Sequence, residues 1–171
     1  MLSNIEKTIR VLDVMVKKGI IDRYAIGGAT ALLFYMEPTL TFDLDVFIFL
    51  TNQSSSSFAD LSPIYEYCRK NGYISKQEHI MIENVAVQFI PAYNSLVEEA
   101  LIKAKPKKFG TVSVRVFGLE YLMAIMLQTG RAKDWARVIQ AKEETDFDEK
   151  LLKKLVQKNG LENAWHKFLK K

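Results

Sequence analysis

"YAIGGATALLFYMEPTLTFDLDVFIFL" (Tyr24–Leu50) is the stretch on which the reading of the chain turns. The segment "RYAI" has strand character and runs into Gly27-Gly28. "GATALLFYM" then predicts a helix stopped by Pro38. Next comes "DLDVFIFL", a run of branched and aromatic residues that predicts a buried strand with two aspartates at its start. Side chains two apart on a strand share a face, so Asp43 and Asp45 point one way and Leu44 the other. Like charges on one face repel unless a cation sits between them, and a hard divalent ion such as Mg²⁺ suits paired carboxylates with substrate phosphates. A solvated acid pair at a fraying strand start is the alternative.

The glycines bear on that choice. Where strand gives way to helix, free backbone N–H groups favour an anion, and at Gly27 and Gly28 no Cβ obstructs its approach. Ala29 keeps the approach small, and the Thr30 hydroxyl offers a further donor. A tight turn would also account for the glycines by themselves. Taken with a D-x-D on the following strand, they form a coherent triphosphate–Mg²⁺ site.

The whole chain sets the frame. Its 171 residues predict one domain, and 49% hydrophobic with 26% charged residues is globular composition that excludes disorder. No apolar run approaches a membrane span, and "MLSNIEKTIR" mixes acid and base where a signal peptide needs an apolar core. Both features predict a cytoplasmic protein with no membrane partner. The single cysteine, Cys68, excludes an intramolecular disulfide and reads as a core helix residue. His79 and His166 lack neighbours at zinc spacing. Net charge is +4 and the pI is near 9.0, which permits a polyanionic partner without demanding one. "KAKPKK" (Lys103 to Lys108) reads as a solvated loop in preference to a nucleic-acid surface.

Periodicity orders the remaining elements. "SNIEKTIRVLDVMVKKG" predicts a helix with Ser3 and Glu6 as a capping box, and "NQSSSS" a loop. "FADLSPIYEYCRKNG" predicts a helix with Pro63 in its first turn. "EHIMIENVAVQFI" predicts a hairpin turning at Glu83-Asn84. "SLVEEALIKA" is helical, "TVSVRVF" alternates as a strand, and from Gly118 onward only helices are predicted, broken at Gly130, Asp146 and Gly160. The predicted class is α+β: a mixed-sheet core over residues 1–117 and a helical region over 118–171 packed on it as a single unit.

At this point "IGGATALLFYMEPTLTFDLDVFI" resembles the signature of the DNA polymerase β-type nucleotidyltransferase superfamily, a Gly-Gly helix start followed by D-x-D on the next strand. Within it, the chain is most similar to small bacterial proteins grouped with the AbiE-type abortive-infection toxins. "LEYLMAIMLQTGRAKDWARVI" resembles their second landmark. The two landmarks and the strand between them cover most of residues 20 to 145. The resemblance implies a mixed β-sheet flanked by helices, with Mg²⁺ held by the catalytic pair Asp43 and Asp45. A nucleoside triphosphate would lie against Gly27 and Gly28. The reaction would move a nucleoside monophosphate onto a hydroxyl of an RNA or protein acceptor, in a toxin–antitoxin role with an antitoxin partner. From "GRAKD", Arg131 and Lys133 would reach the triphosphate or a nucleic-acid backbone, with Asp134 orienting either one. Surface charges at a helix–helix turn are the alternative there.

Three departures from the family pattern stand out. The third carboxylate of the metal site corresponds to Gln88, whose amide oxygen can touch a cation but brings no charge and cannot act as a base. Thr39 stands where relatives carry an arginine, and Met126 where they often place a lysine. They motivate a second reading, a nucleotide- or nucleic-acid-binding pseudoenzyme with the same fold and no turnover. Trp135, Trp165, Met123 and Met126 read as core, whereas Tyr24 and Tyr35 flank the glycine helix and could contact a base.

Overall fold

The computed structural model describes residues 2–37, 43–50 and 60–169. Helix α1 (Leu2–Lys17) buries Ile9, Leu12 and Met15 at helical spacing. The capping box predicted at Ser3 rests on a side chain outside those described. Glu6 accepts a hydrogen bond from the backbone N–H of Thr111 at 2.7 Å. Strand β1 (Arg23–Ile26), helix α2 (Gly28–Leu32) and strand β2 (Asp43–Phe49) follow. Helix α2 is shorter than its composition predicts, because tertiary partners draw off the residues after it. The Tyr35 hydroxyl donates to the Phe117 carbonyl at 2.8 Å, and the Phe34 ring packs on Phe109 with centroids 5.9 Å apart. Pro38, Thr39 and "NQSSSS" lie outside the described residues.

Helix α3 (Ser62–Lys70) carries Pro63 in its first turn and buries Cys68, whose thiol is pushed up to about 11 by that burial. Strand β3 (Ile74–Lys76) is exposed along its length and carries no alternation in the sequence to predict it. It pairs with β4 (His79–Ile82), which forms the predicted hairpin with β5 (Val85–Pro91). Glu83 and Asn84 at the turn are both left-handed, as a two-residue hairpin turn requires. Helix α4 (Ser95–Lys103) is capped by Asn94, whose side chain accepts from the Val97 N–H at 2.9 Å.

The lysine run is the clearest departure from the sequence reading. Lys105–Phe109 is strand β6, paired antiparallel with β7 (Val112–Val116), not a loop. It lies at the sheet edge, where Pro106 and outward lysines are tolerated and discourage pairing with another chain. Lys107 lies over the Tyr35 ring, 4.8 Å from its centroid.

The seven strands form one mixed sheet in the order β3-β4-β5-β2-β1-β7-β6, with β2–β5 and β1–β7 parallel and the other neighbours antiparallel. Helices α5 (Leu119–Thr129), α6 (Ala132–Glu144), α7 (Glu149–Lys158) and α8 (Glu162–Leu169) complete the chain. Every residue of α5 from Tyr121 to Leu127 is buried, so this helix is the centre of the helical region. Buried residues from both sides of Gly118 belong to one apolar cluster, including Trp165. Alternation along β1 and β2 separates two faces. Tyr24 turns toward α1, its hydroxyl donating to Asp13 at 2.7 Å, while the Asp43–Asp45–Phe47 face meets α5 across a cavity.

Candidate functional site

The cavity between sheet and helices has a volume of about 460 Å³, within the range of small-ligand sites. One wall is acidic. Asp43 and Asp45 lie on the same side of β2 and both line it, as the alternation predicts. In the parallel pairing of β2 with β5, Asp45 is registered with Gln88, which also lines the cavity. Gln88 therefore occupies the neighbouring-strand position that the resemblance assigns to a third carboxylate.

The glycine pair is explained by packing. A Cβ on Gly27 would lie 2.4 Å from the Phe47 ring and 3.1 Å from Phe117, so the two rings fill the space behind the turn. Those rings stack at a tilt, with centroids 4.8 Å apart. Gly28, at φ +57, is left-handed, and a Cβ there would lie 1.7 Å from Asp45 Oδ2. The volume a Cβ would fill is thus taken on one side by aromatic rings and on the other by the Asp45 carboxylate, and the Gly27 N–H is spent on the Asp45 carbonyl at 3.0 Å. Gly28 and Ala29 do line the cavity, and the first N–H groups of α2 have no acceptor within their own helix. Thr30 is a correction. It is buried, and its hydroxyl donates to the Asp43 carbonyl at 2.6 Å, so that proton ties α2 to the start of β2 and is not free for a phosphate.

Burial pushes the Asp45 carboxyl up to about 6, and the charge of Asp43 adds to that. Arg131, Arg137 and His79 pull it the other way. A carboxyl crowded by a like charge in a partly buried place has a raised proton affinity, and a divalent cation would relieve the same crowding. The donor set of two carboxylates with an amide oxygen on the adjoining strand fits Mg²⁺ in chemistry. Among the described residues no group of three or more His, Cys, Asp and Glu side chains is placed to hold an ion, in keeping with a neutral residue at 88.

The opposite wall is basic. Arg131, Lys133 and Arg137 line it from the start of α6. Asp134 is 1% exposed and gathers the two arginines. It accepts from Arg131 through Nε and Nη2, from Arg137 Nη1 at 3.3 Å, and from the Thr129 hydroxyl at 2.8 Å. Burial alone would raise the Asp134 pKa, but the hydrogen bonds from Arg131 and Thr129 and the two arginine charges outweigh it and hold the acid below its ordinary value. Met126, only 5% exposed, forms part of the apolar wall with Leu122, Ile125 and Phe117.

Sequence reasoning passed over two residues. Arg137 repeats the three-residue step from Arg131 to Asp134 on one helix, a spacing that was there to be used. His79 left no such signal. It reaches the site from β4, two strands away, with Nε2 3.5 Å from Asp43 Oδ2, a close approach and not a hydrogen bond. The tyrosines proposed for base contact are engaged elsewhere, Tyr24 with Asp13 and Tyr35 with Phe117. The exposed aromatic at the cavity is Tyr93. Trp135 is half-buried, and its indole N–H donates to the Gly130 carbonyl at 3.1 Å.

No protein-family model matches the chain, and no curated protein matches it. Among solved structures it is similar to an antigenic nucleotidyltransferase-like protein from Paracoccidioides brasiliensis. The two are 19% identical with a TM-score of 0.51 over 92% of this chain and 90% of that one. At that identity the likeness shows the fold alone, a nucleotidyltransferase-like fold spanning nearly the whole chain. Among the described residues, no helix is long and apolar enough to cross a membrane.

Proposed function

We propose that the protein is a Mg²⁺-dependent nucleotidyltransferase that moves a nucleoside monophosphate from a nucleoside triphosphate to a hydroxyl of an RNA or protein acceptor. The observation that carries this reading is the pairing of walls. Asp43 and Asp45 stand beside the Gly28 turn, and Arg131, Lys133 and Arg137 face them across one cavity. A phosphate chain carrying a divalent cation is a ligand with that charge distribution. Asp43 and Asp45 would hold the ion. When bound, the ion supplies charge neutralisation on the phosphates and lowers the pKa of the attacking hydroxyl.

The remaining work falls to the chain's own groups. The N–H groups at Gly28 and Ala29 would orient phosphate oxygens. The arginines would counter the charge that develops on the departing pyrophosphate, and the apolar wall of Phe117, Leu122 and Ile125 limits water in the cavity. The likeness in sequence to AbiE-type toxins supports a bacterial toxin–antitoxin role with an antitoxin partner as the setting for this chemistry.

Incubation of the purified chain with labelled nucleoside triphosphates, Mg²⁺ and cellular RNA or protein should transfer label. Asp43→Ala and Asp45→Ala should abolish transfer in folded protein. Transfer that survives both changes would refute the assignment. Gln88, in register with Asp45, favours a second reading in which the fold binds nucleotide without turnover. Calorimetry would then show Mg²⁺-dependent triphosphate binding and no product, and the absence of any nucleotide binding would sink both readings.

A further inference from the structure

We infer that Arg137 is a phosphate-binding residue acting with Arg131 as a clamp on the polyphosphate tail of the nucleotide, and that Asp134 is the positioning residue which sets both guanidiniums. The inference rests on the nucleotide reading of the cavity and adds to it a residue outside the stretch "GRAKD". Asp134 is almost wholly buried, and its oxygens are engaged by Arg131, Arg137 and Thr129. This spends Nε and Nη2 of Arg131 and Nη1 of Arg137 on Asp134, leaving Nη1 of Arg131 and both Nε and Nη2 of Arg137 uncommitted to it.

Two arginines on one carboxylate leave a net positive charge on that wall, and Lys133 adds to it. The Arg137 side chain is 18% exposed and lines the cavity, so its guanidinium is partly shielded from water where an anion would meet it. The field of both arginines reaches Asp45, which places them within electrostatic range of the acid pair across the same cavity. A guanidinium held from behind by a buried acid loses little further freedom on gripping a phosphate, which is the gain from fixing it in advance.

The test is calorimetric titration of inorganic tripolyphosphate into the full chain with chelator present, so that metal binding contributes nothing. Arg137→Gln should weaken binding roughly tenfold to a hundredfold, the usual range for a charge-assisted hydrogen bond. Arg137→Lys should recover part of the loss, because an ammonium keeps the charge but not the fork. Asp134→Asn should weaken binding comparably while thermal unfolding reports a folded protein. Displacement of the probe by ATP with the same arginine dependence supports the nucleotide as its source, and displacement only by 5′-triphosphorylated RNA overturns it. No tripolyphosphate binding by the wild type, or affinities within twofold of wild type in both Arg137→Gln and Arg131→Gln, overturns the clamp. A parallel titration of Mn²⁺ separates the two claims. Mn²⁺ binding that is lost in Asp45→Asn, alongside indifference to the arginines, removes the clamp and leaves the acid-pair reading standing.

Discussion

Replacing Asp45 by Asn should make the metal-free protein more stable, although it removes a carboxylate from the proposed site. In the folded chain the Asp45 carboxyl sits at about 6 against an ordinary 3.8, burial being the larger cause and the Asp43 charge the next. The folded state therefore binds a proton more tightly than the unfolded chain. Stability drains away as pH rises from near 3.8 through about 6, and the full penalty stands above that. At roughly 1.4 kcal/mol per pH unit the gap amounts to about 3 kcal/mol, and the partial exposure of the side chain discounts this to about 1–3 kcal/mol. The attraction to Arg131, Arg137 and His79 is already contained in the net shift.

Asparagine keeps the shape that packs against Gly28 and carries no charge. In chelator at pH 8 its melting temperature should exceed that of the wild type by about 2–12 °C, given about 2–4 °C per kcal/mol for a domain of this size. Near pH 4 the advantage should vanish. Saturating Mn²⁺ should raise the wild type by about 2.7 kcal/mol at a hundredfold excess over Kd and leave the variant unmoved. Thermal and denaturant melts at both pH values, with and without ion, measure all of this. A variant less stable than wild type at pH 8 in chelator, or a gain that does not change with pH, would refute the reasoning.

Gly28→Ala forces a Cβ to within 1.7 Å of Asp45 Oδ2 at φ +57, so it should cost about 1–3 kcal/mol and displace the carboxylate. Denaturant melts and Mn²⁺ titration check both effects, and unchanged ion affinity would count against the site. Thr30→Val removes the donor to the Asp43 carbonyl and should destabilise by about 1–2 kcal/mol, while Thr30→Ser should hold most of it. Equal losses in the two variants would assign the effect to packing and not to the hydrogen bond. Gln88→Asp sets a third carboxylate in register with Asp45 and should tighten Mn²⁺ binding at least about tenfold, given several kcal/mol of gross attraction for an added charge near a divalent ion. Unaltered affinity in calorimetry would place residue 88 beyond the ion's reach.

Where a signal was local, the sequence carried it. The shared face of Asp43 and Asp45 follows from strand alternation. The left-handed pair Glu83-Asn84 follows from hairpin chemistry, and helices α6, α7 and α8 follow from apolar spacing at 3.6 residues. The glycines were legible as positions needing a bare backbone, but the packing that also requires it was not. Only the approach of Phe47 and Asp45 from the neighbouring strand shows what occupies the missing Cβ volume. Thr30 misled for a similar cause, since a hydroxyl near a helix start looks free until the carbonyl of Asp43 is brought to it.

By itself the sequence determined the periodicities, the acid pair and its orientation, and the basic residues at the α6 start. Each of these depends on residues a few positions apart, where backbone geometry dictates which side chains meet. Tertiary structure alone decided that Lys105–Phe109 becomes an edge strand, because a strand exists only when a distant partner supplies its hydrogen bonds. It also decided that His79 reaches Asp43, that Asp134 gathers two arginines at the cavity, and that Gln88 lies beside Asp45. The strand order of the sheet and the packing of helix on sheet set those distances, and no pattern along the chain encodes them.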